Sequence, residues 1–184
     1  MRRWRSGRLM ESEMKLPDDT SLATDILDTP IGRLRLAATE AGLAMVVFPN
    51  QKDIGFPKRD GSATARKHLA AGLKALDRYF EGKQKSFSEI VLAPSGTAFQ
   101  MSVWQALARI PFGETRSYAD IAREIGNPKG MRAVGLANGR NPIPVIVPCH
   151  RVIGANGALT GFGGGLPTKK WLLDFEGIGT ARLI

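Results

Sequence analysis

A change of hydrophobic periodicity near residue 96 limits this chain to a two-part fold. Before it, apolar residues form short alternating runs at 23–28, 34–39 and 43–48, with Gly32 and Gly42 in the turns between them. Such runs are typical of an antiparallel meander. After it, apolar residues recur every three or four positions, which is typical of helices. The chain therefore predicts a mixed α/β protein of the α+β type, with an antiparallel sheet first and a mainly helical part second.

Composition and turn residues predict the domain boundaries. Residues 1–16 form a basic tail that we expect to be disordered, residues 17–95 an N-terminal domain and residues 96–184 a C-terminal domain. Pro94-Ser95-Gly96 is the predicted linker, because proline and glycine interrupt both periodicities there.

The N-terminal domain should also contain one amphipathic helix and one further strand. Four apolar residues at helical spacing would pack on the sheet: Leu69, Leu73, Leu76 and Phe80. Gly82 follows them as a stop signal. The run from Phe87 to Leu92 predicts the further strand.

Three helices are predicted in the first half of the C-terminal domain. The first two begin with capping-box signatures, which are Thr97 with Gln100 and Ser117 with Asp120. For the third helix, Asn127 is the predicted N-cap and the helix should run from Lys129 to about Leu136. The second and third helices give a helix-turn-helix outline, which many ordinary helix pairs share.

An excess of positive charge favours nucleic acid as the partner. The net charge is +9, and residues 97–184 alone carry ten basic and five acidic side chains. Lys129 and Arg132 of the third predicted helix lie among small residues such as Ala133, which permit close approach to a groove or to a neighbouring helix. A generally basic, solvated surface is the alternative, but the excess coincides with the half that carries the only cysteine.

Cys149 is the only cysteine of the chain and is followed by His150, one of two histidines. The thiolate is the reactive form of cysteine, and a nearby histidine or arginine lowers its pKa, so the pair predicts an activated nucleophile. The alternative is a small buried hydrophobe beside a histidine that a backbone carbonyl satisfies. Adjacent residues on a strand face opposite sides, so a direct hydrogen bond between them needs a turn or an intervening water.

Beyond Cys149 the sequence predicts a hairpin, a glycine-rich loop and a last helix. Asn156-Gly157 is the hairpin signal. The glycines around Phe162 lack the ending of a phosphate-binding P-loop, so we expect them to form a mobile lid or to line a pocket. The last helix should begin at Pro167 and run through Glu176 to a stop at Gly177.

The single cysteine and the lack of a long apolar run predict a cytoplasmic location. A single cysteine cannot form an intramolecular disulfide, and no apolar run approaches the roughly 18 residues needed to span a bilayer. We therefore expect a cytoplasmic protein, nucleoid-associated in a prokaryote, that has no membrane partner.

Motifs spread over residues 96–177 carry a resemblance to one known family. They are Gly96-Thr97 with Phe99-Gln100 and Val103-Trp104, Ser117-Tyr118 with Ile121-Ala122, Asn127-Pro128 with Arg132-Ala133-Val134-Gly135, Asn141-Pro142, Pro148 to Val152, and Gly164-Gly165 with Lys170-Trp171-Leu172-Leu173 and Glu176-Gly177. In this order and spacing they resemble the methylated-DNA-protein-cysteine methyltransferases, also called O6-alkylguanine-DNA alkyltransferases. The resemblance implies a winged-helix-like C-terminal domain with a helix-turn-helix, preceded by a small ribonuclease-H-like domain. Residues 17–95 are compatible with the latter but carry no diagnostic motif.

The resemblance implies a role for each residue of the candidate site. Cys149 would accept an alkyl group from guanine O6, His150 would act through a water as the base, and Glu176 would orient His150. Tyr118 would donate to the leaving guanine, and Asn141 would tie the helix-turn-helix to the site. From the residues alone, Tyr118 could instead be packed at a helix start, and Asn141 could belong to an Asn-Pro turn.

The resemblance also implies that the alkylated nucleotide is rotated out of the duplex through contacts in the minor groove. Arg132 would fill the vacated space, although an ordinary phosphate contact is the alternative. The implied DNA-contacting set is Tyr118, Lys129, Arg132, Ala133, Arg140 and Arg151. The implied lining of the base and alkyl pocket is Val152, Phe162, Gly163 and Gly164.

The implied function is single-turnover repair of double-stranded DNA that contains O6-alkylguanine, with O4-alkylthymine as a second expected substrate. The thioether product has no acyl carbon for water to attack, so each molecule should act once, as a monomer, without a cofactor or an obligate protein partner. Some relatives bind zinc, but His68, Cys149 and His150 alone cannot supply that site, so no metal is expected. Gly163 and Phe175 depart from the family pattern and bear on pocket size.

Other classes of protein remain open from the sequence. A non-catalytic sensor of alkylated bases would bind the lesion and leave Cys149 unmodified. A cysteine hydrolase using Cys149 and His150 would turn over repeatedly on esters or amides. In a plain helix-turn-helix regulator the Cys149 segment would be incidental.

Overall fold

A computed structural model describes residues 21–51 and 58–179, and the predicted basic tail lies outside them. Contacts divide the chain into two compact units between Gly96 and Thr97. The first unit has a three-stranded sheet and one helix, whereas the second is mainly helical with a short two-stranded sheet. The predicted α+β class is confirmed. No helix of the described ranges is long and apolar enough to cross a bilayer.

The first unit is an antiparallel meander. Its strands β1 (Ala23–Thr29), β2 (Gly32–Thr39) and β3 (Gly42–Val47) pair in chain order. Gly32 and Gly42 both have positive φ angles, of 96° and 147°, which explains why glycine ends each turn. All of β3 is buried, so this strand lies within the core of the unit rather than at its surface.

Helix α1 (Ala63–Phe80) covers this sheet and contacts all three strands. Its predicted apolar face is buried or half-buried along its whole length: Leu69, Leu73, Leu76 and Phe80. Gly72 permits the close approach, because a Cβ atom there would lie 3.0 Å from a methyl carbon of Leu43. The helix ends before Gly82, as predicted.

The strand predicted from Phe87 to Leu92 is wrong. The segment turns on itself, because the Ile90 N–H donates to the Phe87 carbonyl at 3.1 Å, and Leu92 forms only an isolated bridge with Leu43. The Phe87 side chain is buried, and its ring centroid lies 5.5 Å from that of Tyr79. Burial of apolar side chains in a turn therefore produced the strand-like pattern.

The second unit carries a helix-turn-helix beside a short parallel ladder. Its elements are α2 (Ala98–Leu107), β4 (Arg116–Ser117), α3 (Tyr118–Glu124), α4 (Met131–Gly139), β5 (Val152–Ile153) and α5 (Leu166–Phe175). Both predicted capping boxes are present at the starts of α2 and α3. Helices α3 and α4 pack on each other and on α2, and β4 pairs in parallel with β5.

Two predicted boundaries in this unit are wrong. Helix α4 begins at Met131 rather than Lys129, because the Asn127 carbonyl accepts the Gly130 N–H at 2.9 Å and closes a turn there. Asn127 is therefore not an N-cap, and Gly130 occupies that position. The helix also continues to Gly139 instead of ending near Leu136.

The hairpin predicted at Asn156-Gly157 is also wrong. Gly154 donates to the Ala158 carbonyl at 2.8 Å, which closes a turn around these two residues. Strand β5 before the turn pairs with β4, which comes much earlier in the chain, so the turn does not join two paired strands.

Candidate active site and DNA-binding surface

Cys149 lies at a sharp bend of the backbone. It begins a single 3-10 turn, Cys149–Arg151, directly after Pro148. Pro148 has φ −81° and ψ 65°, and the Cys149 N–H donates to the Val147 carbonyl at 2.8 Å. This is an inverse γ-turn. The thiol and the imidazole therefore project from a turn and not from an extended strand.

Asn141 braces the segment that leads to Cys149. Its Nδ2 donates to the Val147 carbonyl at 2.7 Å, and its Oδ1 accepts the Ile143 N–H at 3.0 Å. Between these contacts Val145 has a φ of 71°, a conformation that costs a β-branched residue on the order of 1–3 kcal/mol. Asn141 follows α4 and also hydrogen-bonds the Cys149 thiol. It therefore links the end of the helix-turn-helix to the nucleophile.

His150 is fully buried and is held by Glu176. Its Nε2 lies 3.0 Å from Glu176 Oε1. We assign the imidazole proton to Nε2, since a carboxylate can only accept. Nδ1 is buried and has no hydrogen-bond partner among the described residues. It is therefore the imidazole nitrogen that can accept a proton.

Glu176 is itself held by several donors. Arg151 donates from Nε to Oε2 at 2.7 Å and from Nη2 to Oε1 at 2.8 Å, and the Gly113 N–H donates to Oε2 at 3.3 Å. Burial alone would raise the pKa of Glu176, but the hydrogen bonds and positive charges of His150 and Arg151 outweigh it and hold that pKa well below its usual range. The carboxylate is therefore ionised at neutral pH.

The resting states of the thiol and the imidazole differ from the prediction. Burial raises the pKa of Cys149 to about 11, although the Asn141 hydrogen bond and the positive charge of Lys169 oppose it. The net shift is therefore opposite to the predicted one, because burial outweighs the lowering effect of the neighbouring positive charge. Burial also lowers the pKa of His150, against the opposing effect of Glu176. The site consequently rests as a neutral thiol beside a neutral imidazole, the protonation states that general-base activation requires.

Lys169 is a site residue that the sequence analysis missed. Its side chain is fully buried in α5, and its Nζ donates to the Val152 carbonyl at 2.6 Å and to the Thr160 carbonyl at 3.0 Å. Burial lowers its pKa to about 8, while the negative charge of a Cys149 thiolate would raise it. Lys169 therefore supplies positive charge to the site as the thiolate forms.

A signal for Lys169 was present in the sequence. Lys169 lies in α5, and Glu176 caps the end of that helix seven residues later; both are buried, as are Leu172 and Leu173 between them. Charged residues on an apolar stripe at positions i and i+7 are unusual, because burial of a charge needs compensating partners. That exception marked both residues as functional candidates.

Tyr118 lies at the start of α3 and faces α4. A Cβ atom at Gly135 would lie 3.8 Å from its ring, so the small residue leaves room for the phenol. The Tyr118 hydroxyl accepts a hydrogen bond from Thr160 at 3.1 Å. Thr160 was not among the predicted site residues, and it belongs to the loop between β5 and α5.

The predicted DNA-contacting residues separate into exposed and buried members. Lys129, Arg132, Ala133 and Arg140 are exposed on α4 or next to its ends. Met131 and Leu136 are 50% and 62% exposed on the same helix, so this surface combines positive charge with apolar side chains. Arg151 is only 4% exposed and is turned inward to Glu176 and to the Ile110 carbonyl. Arg151 therefore does not belong to the exposed residues of the predicted DNA-contacting set.

The predicted pocket residues follow the same loop. Val152 is buried in β5, and its carbonyl accepts from Lys169. Phe162 is half-buried, Gly163 exposed and Gly164 buried, in a turn that the Gly165 N–H closes on the Phe162 carbonyl at 2.9 Å. In the described part of the chain, no group of three or more histidine, cysteine or acidic side chains could hold a metal ion.

Comparison with known proteins places both units in one family. Residues 22–94 match the 6-O-methylguanine DNA methyltransferase, ribonuclease-like domain, and residues 98–178 match the DNA binding domain of the same enzymes. The methylated-DNA–protein-cysteine methyltransferase of Methanosarcina acetivorans is 53% identical, covering 83% of this chain and 96% of that protein. The constitutive enzyme of that name from Bacillus subtilis is 48% identical, covering 82% and 93%.

A solved structure is also similar to this chain. Mycobacterium tuberculosis OGT in complex with DNA superimposes with a TM-score of 0.75 at 45% identity, covering 84% of this chain and 92% of that chain. The two family matches together span most of the chain and account for both compact units. The chain therefore belongs to the 6-O-methylguanine DNA methyltransferase family and contains both the ribonuclease-like and the DNA binding domain of that family.

Proposed function

We propose that this protein repairs double-stranded DNA by moving the alkyl group of O6-alkylguanine irreversibly onto its own Cys149. The observation that carries the proposal is that the buried His150, which follows Cys149 in the chain, is held by Glu176 through Nε2 and has Nδ1 left to accept a proton. The family of the chain supports the same chemistry. O4-alkylthymine presents a similar alkyl–oxygen bond and is the second proposed substrate.

The proposed reaction moves a proton from the thiol, an alkyl group to the sulfur and an electron pair to the guanine. His150 Nδ1, through a water, takes the proton of the Cys149 thiol, and general-base catalysis of this kind typically contributes about 10²–10⁴ in rate. The sulfur attacks the saturated alkyl carbon in line, so that a sulfur–carbon bond forms as the carbon–oxygen bond breaks. The electron pair of the broken bond stays with the guanine. Tyr118 donates a hydrogen bond to the negative charge that develops on the leaving base, and the proton that His150 has taken up balances that charge.

Charge on the reacting groups also favours this assignment. A thiol with a pKa of about 11 reacts poorly unless its proton is removed as attack begins. Glu176 stabilises the imidazolium that results, and Lys169 stabilises the negative sulfur. The product is a thioether that water does not cleave, so each molecule acts once and needs no cofactor.

The α4 surface is the proposed contact with DNA. Its exposed basic residues, Lys129, Arg132 and Arg140, suit phosphates, and its exposed apolar residues suit a minor groove or an unstacked base step. The target nucleotide must leave the stack to reach a thiol that is 4% exposed, at an unstacking cost of roughly a few kcal/mol. We propose that Arg132 fills the vacated space.

Mass spectrometry of the full chain with excess duplex DNA carrying O6-methylguanine tests the proposal directly. We expect one methyl group per protein, located on Cys149 by peptide analysis, with repair stopping at one equivalent. A cysteine hydrolase would instead turn over repeatedly on esters. Tight binding of the lesion without modification of Cys149 would favour a damage sensor, and equal binding of unmodified DNA would favour a regulator.

Arg132→Ala is expected to slow repair in a duplex far more than reaction with the free base O6-benzylguanine, because the free base needs no rotation out of a stack. A loss of about tenfold or more in duplex would correspond to the unstacking cost. Single-turnover rates on both substrates provide the measurement. Arg109→Ala is the matched control, since Arg109 is an exposed arginine that pairs with Glu124 at 2.7 Å. Equal slowing on both substrates would remove Arg132 from this role.

We propose that the protein acts as a monomer without an obligate protein partner, because one chain supplies every residue of the described site. Its substrate places it wherever chromosomal DNA lies, which is the nucleoid region of the cytoplasm in a prokaryote.

A further inference from the structure

Thr160 joins two functional groups of the site. Its hydroxyl donates to the Tyr118 hydroxyl at 3.1 Å, and its carbonyl accepts from Lys169 Nζ at 3.0 Å. Lys169 also holds the Val152 carbonyl at 2.6 Å, so the backbone of Thr160 is fixed against β5 by a buried cation. The loop residue is exposed as a whole, but its polar atoms are therefore held at defined positions.

We assign Thr160 as the donor of this contact, which leaves the phenolic proton of Tyr118 available. A tyrosine hydroxyl has one proton to donate and can also accept. Because Thr160 supplies the proton of their shared hydrogen bond, the Tyr118 proton can point elsewhere. We propose that Thr160 is a positioning residue for alkyl transfer, which orients the Tyr118 hydroxyl and strengthens it as a donor to the leaving base.

This inference rests on the proposed function and deepens it. Burial raises the pKa of Tyr118, the hydrogen bond from Thr160 lowers it, and the negative charge of a Cys149 thiolate raises it. The thiolate forms before attack, so Tyr118 is a weaker acid until the negative charge passes from the sulfur to the leaving base. Thr160 opposes that change, since a hydrogen bond to the phenolic oxygen stabilises the charge that remains after donation.

Contact with DNA should strengthen the effect. Water competes for an exposed hydroxyl pair in the free protein, and a net hydrogen bond is then worth little. Duplex DNA that covers the site would exclude this water and lower the local dielectric. The contribution of Thr160 should therefore be larger to the transfer step than to folding.

The first test is a double-mutant cycle on the single-turnover rate with saturating O6-methylguanine duplex. Thr160→Val removes the hydroxyl at nearly constant volume and should slow transfer about three- to tenfold, the range expected for one hydrogen bond. Thr160→Ser should restore the rate to within about twofold. In a Tyr118→Phe background Thr160→Val should have almost no further effect, because the two residues act through one contact. Thr64→Val in α1, an exposed threonine of the first unit, is the matched control.

A second measurement does not depend on alkyl transfer. The chain has two tyrosines, so Tyr79→Phe with ¹³C-labelled tyrosine leaves Tyr118 as the only reporter in an NMR titration. Cys149→Ser removes the titration of the thiol, and Lys169, whose pKa lies at about 8, remains the other titrating group that faces this region. Thr160→Val should raise the Tyr118 pKa, because a donor to the phenolate is lost.

The outcomes separate this inference from the proposed function. A Tyr118 pKa that falls in Thr160→Val would show that Tyr118 is the donor of the contact and would overturn the inference. Equal slowing by Thr160→Val in the presence and absence of the Tyr118 hydroxyl would do the same, as would failure of Thr160→Ser to recover the rate. If the unsubstituted protein gains no methyl group, the proposed function fails, whatever the Tyr118 titration gives.

Discussion

Cys149→Ala is expected to abolish alkyl transfer completely while leaving binding to duplex DNA within about twofold of the original affinity. The transferred carbon has no other thiol to accept it, because Cys149 is the only cysteine of the chain. The α4 surface that we assign to DNA does not include Cys149, which is 4% exposed. Phosphate contacts, which supply most non-specific affinity, should therefore persist.

The measurement compares methyl transfer by mass spectrometry with the dissociation constant for the same duplex at one salt concentration. Cys149→Ser is the matched control, because it preserves a small polar group that Asn141 can hydrogen-bond. We expect both variants to accumulate on O6-methylguanine DNA without repairing it. Binding that falls as far as repair would contradict the separation of the α4 surface from the chemistry.

The elements that sequence predicted best depend on neighbouring residues. Each capping box lies within a single turn, so four consecutive residues determine where the helix begins. In one box Thr97 and Gln100 satisfy each other's backbone N–H groups, and in the other Ser117 and Asp120 do so. Asn127 shows the limit of that reasoning. It is suited to an N-cap and to a turn alike, and here its carbonyl closes a turn with Gly130, which moves the helix start.

The candidate site was predicted in its residue types but not in its electrostatics. Cys149 next to His150 is visible in the sequence, whereas the burial that raises the thiol pKa comes from the whole surrounding unit. The same limitation applies to Arg151. The family resemblance implied a contact with DNA, but its guanidinium reaches Glu176, 25 residues away in the chain. Sequence spacing does not specify which way a long side chain turns.

The contact between Thr160 and Tyr118 could not have been predicted from spacing, because 42 residues separate them. Lys169 was in principle detectable as a charge on an apolar stripe. Its partners were not, since both are backbone carbonyls, and every residue offers one. Contacts to the main chain carry no signature of residue type, so they become apparent only when the fold is known.

Glu176→Gln is expected to lower both stability and the rate of transfer. The substitution leaves the Arg151 guanidinium buried without its counter-charge, and loss of one partner of a buried ion pair costs about 3–5 kcal/mol. It also leaves Nε2 of His150 opposite a neutral amide, which can still accept the Nε2 proton but supplies no negative charge to stabilise the imidazolium. We expect transfer to slow by about a hundredfold or more, the typical contribution of a general base.

A second substitution separates these two effects. Arg151→Met combined with Glu176→Gln removes both charges and should recover most of the stability, because an apolar replacement of a buried ion pair is often neutral. It should not recover the rate, since His150 still lacks its carboxylate. Denaturant unfolding and single-turnover transfer at neutral pH are the two measurements. A double variant that regains both would show that Glu176 serves only as the counter-ion of Arg151.

The free energy of unfolding should also depend on pH through Glu176. The lowered pKa of Glu176 stabilises the folded state above the ordinary glutamate value of 4.5, and that contribution is lost as the pH falls below 4.5. The single variant should lack this part of the acid sensitivity.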